Sequence, residues 1–281
     1  MRHLILAGIL TLTAGQATAK DPSAGDLDAS EAIAMAEAPL RMDFHVGTWL
    51  VRAKGTGSNG GSELEIGDTG STMGLGNLEA LLRGELTIGK GEWSVRAMGT
   101  HGSWSGDGQV DSVTTWGGVP LVPGTNYASS LDMTWLAFEV HWDHLTLQGD
   151  GKRHTTDPID LIFGPHIGVA WLDLDQSLAG VHNSGNWWSL YGGGELSMII
   201  DLRPFTDLVR SMSVDIGASI GHTMADGGWF WKINGGLGLH FTPNIGVNVG
   251  YRIMEYKNLT ANSVELSPSF PGLFIGLNVN F

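Results

Sequence analysis

The stretch "LLRGELTIGKGEWSVRA" carries opposite charges two residues apart, Arg83 and Glu85 before the short connection "GKGE" and Arg96 after it. In an extended chain residues two apart share a face, and a tight turn then sets Glu85 directly opposite Arg96. Glu195, Asp215, Lys232 and Arg252 repeat the habit, each on the polar face of a later alternating run. Charges of both signs converging on one narrow interior can do two things. They pair with one another as filler, or they line a path or binding site for a charged solute. Filler is the expectation, because long arginine side chains occupy much of such an interior. Histidines suggest metal chemistry only on first sight. His141 and His144 in "HWDH" are three apart, which on a strand sends them to opposite faces, so both cannot hold one ion. His166 and His240 are expected to face inward as hydrogen-bonded filler. There is no cysteine. No metal and no cofactor is therefore expected.

The elements that must position these charges are strands. From Phe44 onward the apolar period is two, as in "RSMSVDIGASIG" and "WFWKINGGLGLHF". Glycine is 42 of 281 residues, tryptophan 11, and charged residues only 16%. Mean hydropathy is +0.03, as expected where only alternate residues are apolar. Too many consecutive runs carry the pattern for a soluble sandwich. The inverted arrangement fits, with lipid outside and a polar lumen inside: an all-β, closed antiparallel transmembrane barrel of about ten strands, with eight or twelve as alternatives. The strands are expected near 43–53, 79–89, 92–103, 129–142, 159–173, 188–202, 209–222, 229–241, 246–256 and 271–281. Long outer loops are expected at 54–78, 104–128, 174–187 and 257–270, and tight periplasmic turns at "GKGE", "RPFTDL" and "TPNI". The connection at 143–158 is long for its side, and "MADGG" is short for its own. In the fourth strand Leu131, Met133 and Trp135 share one face and Leu136, Phe138, Val140 and Trp142 the other, which predicts a β-bulge near Trp135.

Outside the barrel, residues 1–19 read as a signal peptide, with Arg2 and His3, an apolar run and Ala17-Thr18-Ala19. Residues 20–42 read as a periplasmic tail or short helix, with Asp28 and Glu31 as a capping box and Pro39 as its stop. The barrel proper is 43–281. The formal charge of −14 excludes nucleic acid as a partner, since phosphate contacts need clustered lysine and arginine.

Aromatic residues fall into two sets on this topology: Trp171, Trp188, Trp229 and Phe270 at outer strand ends, and Trp93, Trp142, Phe241 and Phe281 at periplasmic ends. The last run, "GLFIGLNVNF", alternates strictly and ends on Phe281. It resembles the C-terminal signal by which bacterial outer-membrane barrels are recognised for insertion. Together with "ELEIGDTG", "GVAWLDLDQSLAG" and "GLGLHFTPNIGVNVGYRIMEY", it gives most of the chain a resemblance to bacterial outer-membrane β-barrel proteins. That resemblance implies the fold and the outer membrane as address. Lipid, lipopolysaccharide and, through the Phe281 strand, the insertion machinery are the expected partners, and a monomer is expected.

The activity expected is none: a structural barrel or a narrow small-solute channel. One enzymatic alternative comes from His182-x-Ser184 followed by Glu195, which resembles the base, nucleophile and acid of lipid A deacylases. Asp173 and Asp175 near His182 imitate part of the site of omptin-type proteases. Adhesion through the loops at 54–78 and 104–128 is a further alternative.

Overall fold

The protein is all β in a computed structural model that describes residues 40–59, 62–67, 72–142, 145–148, 159–224, 228–261 and 264–281. The expected signal peptide, the capping box, Pro39 and His144 lie outside the described residues. β1 (Leu40–Arg52) continues across Ala53 into β2 (Lys54–Asn59), and β3 (Ser62–Glu65) folds back on β2. There follow β4 (Leu78–Lys90), β5 (Trp93–Gly108), a small hairpin of β6 (Thr114–Trp116) and β7 (Val119–Leu121), then β8 (Tyr127–Trp142) and β9 (Leu145–Gln148). The second half holds β10 (Ile159–Leu178), β11 (Val181–Asp201), β12 (Ser211–Thr223), β13 (Trp229–His240), β14 (Ile245–Lys257), β15 (Leu259–Ala261) and β16 (Val264–Asn280).

Each wall strand pairs antiparallel with its neighbours in the order β1-β4-β5-β8-β10-β11-β12-β13-β14-β16, and β16 returns to β1. The closing seam runs from Asp43↔Asn280 to Val51↔Gly272, and β2 carries the same register on to Asn59↔Val264. A ring of ten strands leaves no row of unpaired N–H and C=O groups, each of which costs several kcal/mol in lipid.

The wall changes character with height. On β10 the outward residues Phe163, Ile167, Val169 and Trp171 give way to Asp173, Asp175 and Ser177, while the inward residues change from Asp160 and His166 to the buried Leu172, Leu174 and Leu178. Twenty residues at about 3.3 Å each, tilted about 40°, stand about 50 Å tall, twice the ~25 Å apolar band of such barrels. The lower half is therefore apolar outside and polar inside, and the upper half is apolar inside and polar outside. Trp171 pairs with Trp188 at the boundary, and Trp229 lies on the same outward face two strands on. At the other boundary Trp93 and Trp142 stack across their strands at 6.1 Å, with Phe241 and Phe281 also exposed.

This inversion corrects several sequence expectations. β8 has no bulge at Trp135, because its registers with β5 and β10 run unbroken. Leu131, Met133 and Trp135 fill the upper interior, and Leu136, Phe138 and Val140 face lipid below them. The register slip falls lower, where β9 pairs β10 out of step between Leu161 and Ile162. Phe270 is not in the outer belt; it is wholly buried inside the upper half. No long loop spans 174–187, since β10 and β11 meet at a two-residue turn, Ala179-Gly180, with φ of 53° and 80°. Nor is 257–270 a loop: β14, β15 and β16 are separated by one or two residues there. β1 begins at Leu40, three residues ahead of the expected start of the barrel.

The upper interior is packed like the core of a soluble protein. Trp104 stacks on Phe270 at 5.6 Å, Phe230 on Tyr256 at 5.0 Å, and Trp135 Nε1 donates to the Tyr256 hydroxyl at 3.0 Å. Thr72–Leu75 folds into the outer mouth against β5. A Cβ on Gly106 would overlap the Gly74 carbonyl oxygen, and one on Gly108 the Thr72 carbonyl oxygen, so glycine is what lets the segment approach. The Ser129 hydroxyl donates to the Met73 carbonyl, tying the segment to β8.

The band predicts a height-dependent response on one face of one strand. Ile167→Arg, in the middle of the apolar band, should lower unfolding stability in lipid by about 2–4 kcal/mol. Ser177→Arg, outward on the same strand above Trp171, should change it by less than ~0.5 kcal/mol. Equal losses in a denaturant titration would place the membrane boundary elsewhere.

Candidate functional site

Below the apolar core, inward alternation from nine neighbouring strands builds a layer of charge. Its centre is Glu139 on β8, 1% exposed. Lys232 Nζ donates to Glu139 Oε1 at 2.7 Å and the Tyr191 hydroxyl donates to the same oxygen at 2.8 Å. His141 Nε2 lies 2.8 Å from Glu139 Oε2, and Arg96 Nη1 lies 3.8 Å from it. Lys232 also stands over the rings of Tyr191 and Trp135, at 5.3 and 5.8 Å, so the ammonium joins the charge layer to the aromatic core above it.

One step lower, Arg96 bridges two carboxylates, with Nη1 3.0 Å from Glu195 Oε2 and Nε 3.2 Å from Glu85 Oε1. Arg83 Nη2 donates to Glu85 Oε2 at 2.7 Å. Asp215 accepts from the Ser197 and Ser213 hydroxyls at 2.7 and 3.0 Å. His166 lies 2.9 Å from the Ser219 hydroxyl through Nε2 and stacks on His141 at 4.7 Å. His45 Nε2 is 3.0 Å from Asn248 Oδ1. Beneath this layer is a cavity of about 1140 Å³ that reaches the periplasmic rim at Gly91, Pro243 and Phe281. Where β11 ends at the periplasmic turn, Arg203 Nε donates to both oxygens of the half-buried Asp201 carboxyl at 2.9 Å.

Arg83, Glu85, Arg96, Glu195, Asp215, Lys232 and Arg252 all line that cavity, as does His240 nearer the rim. The register of the first hairpin differs from expectation. Thr87, not Glu85, is opposite Arg96, and Glu85 is opposite Met98. The turn residues are Gly91 and Glu92, with Gly91 at φ 61°, so Lys90 closes on Trp93. The shift is two residues. It preserves the face and makes Glu85–Arg96 a diagonal pair. Glu139 was not among the residues expected to matter, although Phe138 and Val140 on either side face lipid and send it inward by alternation.

The deacylase-like set is not assembled. His182 and Ser184 are on a strand, not in a loop, and face outward above the belt, paired with Ser177 and Asp175. Glu195 faces the lumen eleven residues down, about 36 Å along the strand at ~3.3 Å per residue. Asp173 and Asp175 are likewise on the outer wall. Among the described residues no group of three or more histidine or acidic side chains is arranged to hold a metal ion.

No protein-family model matches the chain, and no curated protein matches it. Among solved structures it is similar to the outer membrane protease OmpT from Escherichia coli, at 12% identity over 86% of this chain and 97% of that one, TM-score 0.43. It is similar also to Neisserial surface protein A, at 11% identity over 85% and 97%, TM-score 0.36. A third is Ail, the attachment invasion locus protein of Yersinia pestis, at 9% identity over 86% and 99%, TM-score 0.30. The fold and the address rest on the wall itself: a closed antiparallel ring, a lipid-facing apolar band and two aromatic girdles make this a bacterial outer-membrane β-barrel.

The layer predicts unequal couplings. Glu139→Ala leaves a buried ammonium unpaired and should cost about 3–5 kcal/mol of unfolding stability in detergent. Adding Lys232→Met should recover part of that loss. Glu85 and Arg96 should couple less strongly, because Arg96 keeps Glu195 when Glu85 is removed. Simple additivity for Glu139 and Lys232 would contradict the layer.

Proposed function

We propose that the protein is a sealed outer-membrane barrel, structural in role and without catalytic activity, open to the periplasm as a cup and closed toward the outside. One observation carries this reading. Trp49, Trp104, Trp135, Phe230, Tyr256 and Phe270 occupy the outer half of the lumen at 2% exposure or less, as filled as a soluble core. A channel needs a continuous wet path, and above Lys232 the path runs into these rings. Lipid and lipopolysaccharide surround the lower wall, the insertion machinery engages β16 and the Phe281 that follows it, and the ring works as a monomer because it has no edge to share.

The expected result in planar bilayers is no ohmic steps from the purified full chain, with insertion checked by heat-modifiable mobility on a gel. Stable conductance that falls on truncating Arg83, Arg96 and Arg252 would replace the sealed barrel with a narrow charge-lined channel.

A further inference from the structure

Two of the cavity's arginines keep N–H groups that the ion-pair layer does not engage. The ring of Phe274 rests over Gly250 and Gly236 on the inner wall, where a Cβ would run into ring carbons. Arg83 from β4 and Arg252 from β14 converge on that ring, with guanidinium carbons 4.9 and 5.9 Å from its centroid. Both residues are 6% exposed, and both line the cavity. Arg83 gives Nη2 to Glu85, while its Nε and Nη1 donate to no acceptor among the described residues. Arg252 Nε donates to none either, and Arg252 forms no ion pair among the described residues.

Immediately around Phe274 the guanidiniums outnumber the carboxylates, within a cavity lined in all by five cationic and six acidic side chains. Arg83, Arg96 and Arg252 face two carboxylates, Glu85 and Glu195, and Glu195 is held by Arg96. Of the other carboxylates facing the cavity, Glu139 is held by Lys232, Asp215 accepts from two serines, and Asp43 and Glu92 also line it. A buried guanidinium with free N–H groups strongly favours an oxyanion, to which it can present two parallel donors. The cup, about 1140 Å³, has room for a small molecule, since such sites run from ~300 to ~1,000 Å³.

We infer that Arg83 and Arg252, braced by Phe274, form a binding site for a small free oxyanion of the phosphate or carboxylate class, entering from the periplasmic rim. The closed wall keeps lipid head groups from reaching it sideways. The site stands independently of the seal above, since an anion binds there whether or not the lumen conducts.

Titration of the folded full chain in detergent with inorganic phosphate, in a low-salt buffer free of other oxyanions, tests this. Saturable binding is expected, weakened about tenfold or more in Arg252→Gln and in Arg83→Gln. Arg203→Gln, an exposed arginine in the periplasmic turn, should leave it unchanged and so controls for net charge. Glu85→Gln removes the carboxylate that competes for Arg83 and should tighten binding about threefold or more, an effect that a purely structural arginine pair would not produce. It also serves if the arginine variants fail the heat-modifiability check for folding. No saturable binding by the unaltered protein up to about 10 mM phosphate, or equal weakening by Arg252→Gln and Arg203→Gln, overturns the site.

Discussion

A single set of strands in this barrel must satisfy two solvents in succession. Next to lipid the outer wall has to be apolar, so the inward residues are free to be polar and meet water from the periplasm. Above the belt the outer wall meets water, and the inward residues then become the only place to bury apolar surface. β8, β10 and β16 each obey both demands without breaking alternation. Leu131, Met133 and Trp135 point in, and Leu136, Phe138 and Val140 point out, from one unbroken strand.

The charge layer lies where these two regimes meet. Side chains this far from bulk water are tolerated because each main member has a partner of opposite sign or several hydrogen-bond donors, as Glu139 has Lys232, Tyr191 and His141. Replacing such a layer by apolar residues would extend the core downward and remove the cup. Retaining it leaves a polar cavity under a dry roof, and Lys232 touches both through its carboxylate below and the faces of Trp135 and Tyr191 around it. The filled roof and the charged cup are two consequences of one packing arrangement.

Glycine is what makes the interior workable. Gly106 and Gly108 admit the Thr72–Leu75 segment to the outer mouth, and Gly236 and Gly250 clear the wall for Phe274, around which Arg83 and Arg252 gather. An alanine at any of these points would push backbone or ring away from the wall, so the glycine content of the chain is tied to what crosses its lumen as well as to strand curvature.

Which residues face inward can be read from the chain alone. Period-two alternation is a local property of extended backbone, so the lumen placement of Arg83, Glu85, Arg96, Glu195, Asp215, Lys232 and Arg252 was legible, as were ten strands and most of the two aromatic girdles. Glu139 was equally legible by alternation, but the phase change at Trp135 suggested a bulge in its place. What lies across the barrel from what depends on the closed ring. Glu139 meets Lys232 across 93 positions of sequence, and Arg96 meets Glu195 across 99. The height at which the outside turns from lipid to water was also invisible locally, because a strand that exchanges its apolar face and a strand that bulges write the same pattern. That is why the sequence of Phe270 suits the belt although the residue belongs to the core, and why 174–187 has the look of a loop although it is the tip of the tallest hairpin. Local alternation reports a side chain's direction, and the register of a closed ring sets its distance to every other.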